Sequence, residues 1–294
     1  MSDRSRVAAV VLAAGEGRRL RPLTEAVPKA LCPVGNVPLL DLALRRLGEL
    51  GFEGAGRVAV NAWYLAPQIV AAVDGRAYVS VESGARPLGT AGGLAHLRDW
   101  LDGRGVLAVN ADAYLAGGDL GALLDGWDGH GTRLLGVPAA PGQAGEFGHH
   151  YFAGASLLPW HRVVRLAPMD EPTSLVLDVW RPAERAGELR VVEYAGTYLD
   201  TGTPTSYLAA NLHAAASAAG AGMVAGTPVP GPCASLIAPD ALVTGAVTCS
   251  VIGSGAHVAG RTTRCVVWPS STVAAHEHLS DAIRYGRSGT VSMS

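Results

Sequence analysis

The sequence predicts an α/β chain in two parts, an open sheet covered by helices followed by a small left-handed parallel β-helix. Three observations predict it. Apolar, β-branched runs alternate with segments of helical periodicity up to about residue 110, a glycine- and proline-rich stretch follows at 220–232, and short apolar steps six residues apart lie beyond it. Strands alternating with helices require a sheet with both faces covered, and a six-residue apolar step is the rhythm of a hexapeptide β-helix.

Val7 to Ala13 is a continuous apolar run ended by glycine, as expected of a strand buried on both faces. Leu39, Leu40, Ala43, Leu44, Leu47 and Leu50 recur at helical spacing, with Gly51 where a helix C-terminus favours it. The pattern continues with a strand at Val58 to Val60, a helix over Pro67 to Val73, a strand at Ala77 to Val81, a helix over Ala91 to Leu101 and a strand at Val106 to Val109. Ala139 to Glu146 is loop-like, Tyr151 to Leu158 suits a strand lining a pocket, and Val191 to Leu199 suits a hairpin-like pair of strands. Pro204 to Ala219 is an alanine-rich helix with Thr203 as its N-cap and Pro204 at its first position. Composition places a first domain at 1–220, a linker at 221–232 and a second domain at 233–294. There Ile237 and Val243, Ile252 and Val258, and Val267, Val273 and Leu279 keep the six-residue step.

With 23 basic and 25 acidic side chains the net charge is -2, which supplies no field to recruit nucleic acid or an anionic membrane. No apolar stretch reaches the roughly 20 residues of a transmembrane helix. Arg4 and Arg6 precede an apolar run that is too short for a signal peptide and leads into Gly15 rather than a cleavage site. Cys32, Cys233, Cys249 and Cys265 form no CxxC pair, so inert thiols and a cytoplasmic location are expected.

The segment Leu12 to Leu40 reads LAAGEGRRLRPLTEAVPKALCPVGNVPLL. Glycines after a buried strand let backbone N–H groups approach a phosphate closely, although such a loop is also a plain strand-to-helix turn. Arg18, Arg19, Arg21 and Lys29 surround it with cations, and no Walker A or dinucleotide fingerprint is present. Gly89-Thr90-Ala91-Gly92-Gly93 opens a helix after Leu88. Val109-Asn110-Ala111-Asp112 puts a carboxylate just past a strand, where open α/β sheets bind ligands.

These segments together resemble the sugar-1-phosphate nucleotidylyltransferase family over roughly residues 7–285. Gly15, Gly17, Arg19, Leu20, Pro22, Leu23, Thr24, Pro28, Lys29 and Leu31 match its opening pattern. Leu88 to Gly92 resembles its L-G-T-A-G, Asn110-Ala111-Asp112 its N-G-D, and Tyr198 to Asn211 its W-x-D-I-G-T-P-x-x-Y-x-x-A-N. The resemblance implies a Rossmann-like open mixed sheet and Mg²⁺ on Asp112 and Asp200. It implies Arg19 on the β- and γ-phosphates, Lys29 on the α-phosphate, and nucleotide contacts from Leu12, Ala13, Ala14, Gly15, Glu16, Gly17, Arg18, Gly89, Thr90 and Ala91. Asn110, Gly148, Gly154 and Asp200 are expected at the sugar phosphate. Likeness to guanylyltransferases carrying a C-terminal β-helix favours GTP and mannose 1-phosphate and a homo-oligomer. UTP, dTTP or ATP with another sugar or cyclitol phosphate, and a non-catalytic sensing subunit, are the alternatives. The family's E-K-P lysine is missing, because Lys29 is the only lysine in the chain. Arg133, His149, His150 and Arg162 are candidates to replace it.

Overall fold

A computed structural model describes residues 4–167, 172–218 and 233–293. The expected linker at 221–232 and the expected helix end at Ala219 lie outside the described residues. The chain forms two compact units. The first is Met1–Glu16, Val27–Leu31 and Leu40–Tyr198, and the second is Gly17–Ala26, Cys32–Leu39 and Leu199–Ser294.

The first unit is built on a seven-stranded mixed sheet. Its strands are β1 (Val7–Leu12), β2 (Val58–Ala62), β3 (Tyr78–Val81), β4 (Gly105–Asn110), β5 (Thr132–Pro138), β6 (His150–Leu158) and β7 (Leu189–Glu193), in the spatial order β7-β5-β6-β4-β1-β2-β3. β1 is parallel to both β2 and β4, whereas β6 is antiparallel to β4 and β5. Helices α1 (Leu39–Glu49), α2 (Ala66–Val73), α3 (Gly89–His96) and α4 (Arg98–Leu101) occupy the crossovers.

Period-two alternation sorts the strand side chains between two cores. Val7, Ala9, Val11, Val58, Val60, Leu107 and Val109 join Leu40, Leu47, Ile69 and Val73 on one face. Ala8, Val10, Ala59, Val106 and Ala108 join Leu94, Leu97 and Leu101 on the other. Each such aliphatic side chain larger than alanine contributes about 1.5–3 kcal/mol on full burial, in keeping with a β1 built of valine, alanine and leucine alone.

Two expectations are corrected in this unit. The helix expected over Ala91 to Leu101 breaks at Leu97 (φ -91°, ψ 6°), and Leu94, Leu97 and Leu101 all stay buried across the break. The stretch Val191 to Leu199 is not a hairpin. β7 runs parallel to β5, with Val191 facing Leu134 and Val192 facing Leu135, and Thr197–Asp200 belongs to a separate two-stranded sheet. An alternating apolar pattern marks a strand without naming its neighbour.

In the second unit, short strands stack in three parallel sets. Leu236 faces Val251, Val251 faces Val266 and Val266 faces Ile283. Leu242, His257 and Thr272 align in a second set, and Ala246, Arg261 and His278 in a third. Ile252, Val258, Val267 and Val273 fill the interior at no more than 1% exposure, as the six-residue step predicts, whereas Ile237 is 43% exposed.

Helix α5 (Pro204–Ala218) docks on this stack, which places it in the second unit although composition put the boundary at 220. Tyr207 is fully buried, accepts from Trp268 Nε1 at 3.0 Å and donates to the Pro33 carbonyl. Thr203 caps α5 as expected. Its Oγ1 accepts from the Ser206 N–H at 3.3 Å while Ser206 Oγ accepts from the Thr203 N–H at 3.2 Å, a reciprocal capping pair.

The thiol expectation is corrected for one pair. Cys233 and Cys249 form a disulfide with Cα atoms 4.9 Å apart, while Cys32 and Cys265 are buried and outside any disulfide. Stacking brings residues about one coil apart into register, and linear spacing carries no trace of that proximity. Among the described residues, no helix is long and apolar enough to cross a membrane.

Candidate active site

Strand order reverses direction at β1. The chain passes from β1 outward to β2 and β3, then returns to lay β4 on β1's other side. The crevice outside the carboxyl ends of β1 and β4 is thus a topological switch point, where open α/β sheets receive ligands. At its floor Leu12 lies between Asn61 and Asn110, and the Leu12 carbonyl accepts from the Ala111 N–H at 3.0 Å.

From this floor rise the groups the sequence singled out. Ala13 and Ala14 are buried, while Gly15 has nothing within 4 Å of a built Cβ, so its backbone borders open space. Asp112, two residues past β4, accepts from Lys29 Nζ at 2.5 Å. The Lys29 side chain is 9% exposed and the Asp112 side chain 36%. The pair thus joins a cation withdrawn from water to a carboxylate that solvent or a ligand can reach. Such a carboxylate is a hard oxygen donor of the kind Mg²⁺ takes alongside phosphate and water.

The second expected nucleotide loop opens α3. Gly89 has φ +77°, and a Cβ there would stand 2.2 Å from the Thr173 carbonyl oxygen, so only glycine fits. Thr90 Oγ1 accepts from the Leu175 N–H at 3.0 Å, and the Ala91 N–H donates to the Thr173 carbonyl at 3.3 Å. Behind this loop lies a chain of polar groups that sequence reasoning missed. Asn61 links Ala13 to Glu82, and Glu82 accepts from the Leu88 N–H. Burial pushes the Glu82 carboxyl up, opposed by the Leu88 and Asn61 hydrogen bonds and by the His96 charge. An asparagine within a strand and a glutamate after one have no spacing that sets them apart.

Around β6 the candidates separate. Arg133 faces Leu157, which faces Leu107 at the amino end of β4, and its guanidinium donates to the Leu123, Asp125 and Gly126 carbonyls. Arg162 follows β6 at that same end and pairs with Glu188. Both are therefore corrected as sugar-phosphate candidates, because they lie toward the amino end of β4, whereas Asp112 lies past its carboxyl end. His149 and His150 lie at the carboxyl end, where His150 Nε2 is 3.5 Å from Glu193. Gly154 (φ +78°) is required because a Cβ would come 2.3 Å from that of Ala113, and Gly148 (φ +63°) serves a turn. Trp180 packs on Phe147 and Phe152 in the core.

The second unit holds the remaining candidates. Gly17 adopts φ +64°, and its carbonyl accepts from the buried Thr24 hydroxyl at 2.9 Å. Arg18 and Arg19 lie in the short helical turn that follows. Arg19 is 3.6 Å from Asp200, with side chains 71% and 47% exposed. A Cβ on Gly202 would come within 2.8 Å of the Arg19 guanidinium and 2.9 Å of the Asp200 carboxylate, so glycine there permits the pair.

The model of the MobA-like NTP transferase domain matches residues 9–171 of the chain, which include the switch-point crevice, Lys29, Asp112 and the Gly89 loop. The chain belongs to the MobA-like NTP transferase family. The chain is 41% identical over 109 residues to the N-acetylmuramate alpha-1-phosphate uridylyltransferase of Neisseria meningitidis, covering 35% of this chain and 46% of that one. It is 39% identical over 127 residues to the mannose-1-phosphate guanylyltransferase of Mycobacterium tuberculosis, covering 40% and 33%. The matches to these two curated relatives thus span less than half of each relative's length. A longer match, 28% identical over 232 residues, reaches 94% of the N-acetylmuramate alpha-1-phosphate uridylyltransferase of Caulobacter vibrioides. A Bacillus anthracis structure described as a glucose-1-phosphate thymidylyltransferase shares the fold, with a TM-score of 0.61 and 19% identity over 71% of this chain and 95% of that one.

Proposed function

We propose that this NTP transferase joins a nucleoside monophosphate to a sugar 1-phosphate. In this reaction a phosphate oxygen of the sugar phosphate attacks the α-phosphorus of the NTP, the bond to the β-phosphate bridging oxygen breaks, and pyrophosphate leaves. The observation that carries the proposal is the buried Lys29 ammonium on a reachable Asp112 carboxylate at the carboxyl-end crevice. Negative charge builds on the α-phosphoryl oxygens and the leaving group during transfer, and a cation already withdrawn from water stabilises that charge without reorganising.

Asp112 is the proposed ligand for Mg²⁺, with Asp200 as the second carboxylate expected from the sequence. A bound Mg²⁺ would supply Lewis-acid neutralisation of phosphate charge. Arg19 would hold the leaving phosphates, and Ala13 and the Gly89–Thr90 loop the base. The stacked strand sets of the second unit support the expected short left-handed β-helix, and we retain a homo-oligomer as a proposal.

GTP with mannose 1-phosphate follows from the sequence likeness and is supported by the mycobacterial relative. UTP with N-acetylmuramate 1-phosphate is the second alternative, favoured by the match that reaches 94% of a uridylyltransferase. Mg²⁺-dependent pyrophosphate release, measured with ATP, GTP, CTP, UTP and dTTP against mannose, glucose, N-acetylglucosamine and N-acetylmuramate 1-phosphates, tests both. Turnover confined to GTP and mannose 1-phosphate supports the first and turnover confined to UTP and N-acetylmuramate 1-phosphate the second. Silence across the panel in folded protein rejects transfer to these acceptors and turns the search to cyclitol phosphates or a sensing role.

A further inference from the structure

Glu82 and Asn61 are 4% and 2% exposed. Glu82 Oε1 accepts from Asn61 Nδ2 at 2.7 Å, Glu82 Oε2 accepts from the Leu88 N–H at 2.8 Å, and Asn61 Oδ1 accepts from the Ala13 N–H at 2.7 Å. The order of donors and acceptors is fixed, because only the amide oxygen of Asn61 can accept from Ala13 and only its NH₂ can donate to a carboxylate. Helix α3 closes directly over the pair, since a Cβ on Gly93 would stand 2.6 Å from Asn61 Nδ2 and 3.1 Å from Glu82 Oε1. From its outer side the loop is held by Thr173, whose N–H donates to the Leu88 carbonyl at 2.9 Å.

A buried carboxylate that accepts from one amide and one backbone N–H carries a desolvation cost that an apolar contact between the two loops would avoid. What it adds is direction. Each hydrogen bond fixes a distance and an angle, so the backbone at Ala13 is tied to the backbone at Leu88 through two side chains with no slack. We propose that Asn61 and Glu82 form a positioning pair that sets the separation of the two nucleotide loops and thereby the affinity and base preference of the site, leaving the chemical step unaltered. The assignment of those loops to the nucleotide rests on the proposed transferase function.

The test relocates the charge while keeping the bonds. In Glu82→Gln, the new amide can accept through only one oxygen, so either Asn61 or Leu88 loses its acceptor. In the double variant Asn61→Asp with Glu82→Gln, Asp at 61 accepts from Ala13 and from the glutamine NH₂, and the glutamine oxygen accepts from Leu88. All three bonds return with the negative charge moved one strand over. We expect Glu82→Gln to raise KM for the NTP by about 10-fold or more with kcat within about 3-fold, the scale of one unmatched buried polar group. The double variant returns KM to within about 3-fold of the parent.

A parental KM in Glu82→Gln, or a folded double variant no better than the single one, overturns the proposal. Should the double variant not fold by circular dichroism, Gly93→Ala displaces the pair from the helix side, and an unchanged KM there overturns it equally. If the parent protein binds an NTP by calorimetry but turns over no acceptor, the transferase function fails by itself. The same ordering of the variants, read as Kd, then decides the positioning role, and absence of any nucleotide binding by the parent overturns it.

Discussion

Lys29 has its ammonium on Asp112 with only 9% of its side chain exposed, whereas its partner remains 36% exposed. Replacing Lys29 by alanine leaves a carboxylate that water can solvate, so the fold should survive while the stabilisation of phosphate charge is lost. We expect kcat to fall by at least about 100-fold with an unchanged circular dichroism spectrum, and a rate near that of the parent would remove Lys29 from the chemistry. Asp112→Asn and Asp200→Asn are each expected to abolish Mg²⁺-dependent turnover. Full activity in either folded variant, measured across a Mg²⁺ titration, would exclude that carboxylate as a ligand. Lys29 and Asp112 were legible as candidates because their motifs have fixed spacing. Asn61 and Glu82 were not, because 20 intervening residues separate them and only the parallel pairing of β2 with β3 brings them together.

Element geometry was legible where local chemistry decides it. Thr203 and Pro204 announce the start of α5, and the reciprocal Thr203–Ser206 hydrogen bonds realise that signal. Thr203→Ala should therefore cost about 1 kcal/mol in urea unfolding, and a difference below the error of the melt would mean that the cap contributes nothing. Gly89 was legible as part of a loop motif, but its necessity comes from the Thr173 backbone on the other side of the chain. Gly89→Ala meets both a left-handed dihedral and that carbonyl, so it should destabilise the first unit by about 1–3 kcal/mol and weaken nucleotide binding. Unaltered stability and nucleotide Kd would show that the loop relaxes freely. The hairpin expected over Val191 to Leu199 failed for a related reason, since each strand's partner lies far along the sequence.

At the scale of the whole molecule, the second unit depends on a narrow apolar interior and on a covalent closure. Ile252 is fully buried among Ala256, Val258, Val267 and Val273. The Cys233–Cys249 bridge closes a loop with a sequence separation of 16. Cys233→Ser should lower the unfolding free energy by about 3 kcal/mol under oxidising conditions and make the melt insensitive to reductant. A melt that still shifts with reductant would assign the stabilisation to another pair.

The sequence by itself determined the alternation of strands and helices from β1 to β4, the six-residue interior of the stacked strands, the cap of α5 and the glycine-rich, lysine and aspartate segments. These are set within a few residues, by dihedral freedom, side-chain period and cap chemistry. Tertiary structure alone decided that β6 runs antiparallel, that Cys233 meets Cys249, that Arg133 and Arg162 stand at the far end of the sheet, and that Asn61 and Glu82 tie two loops together. Each of these depends on which distant segment becomes a neighbour, a choice made by burial of both sheet faces and by strand register, and no local pattern encodes it.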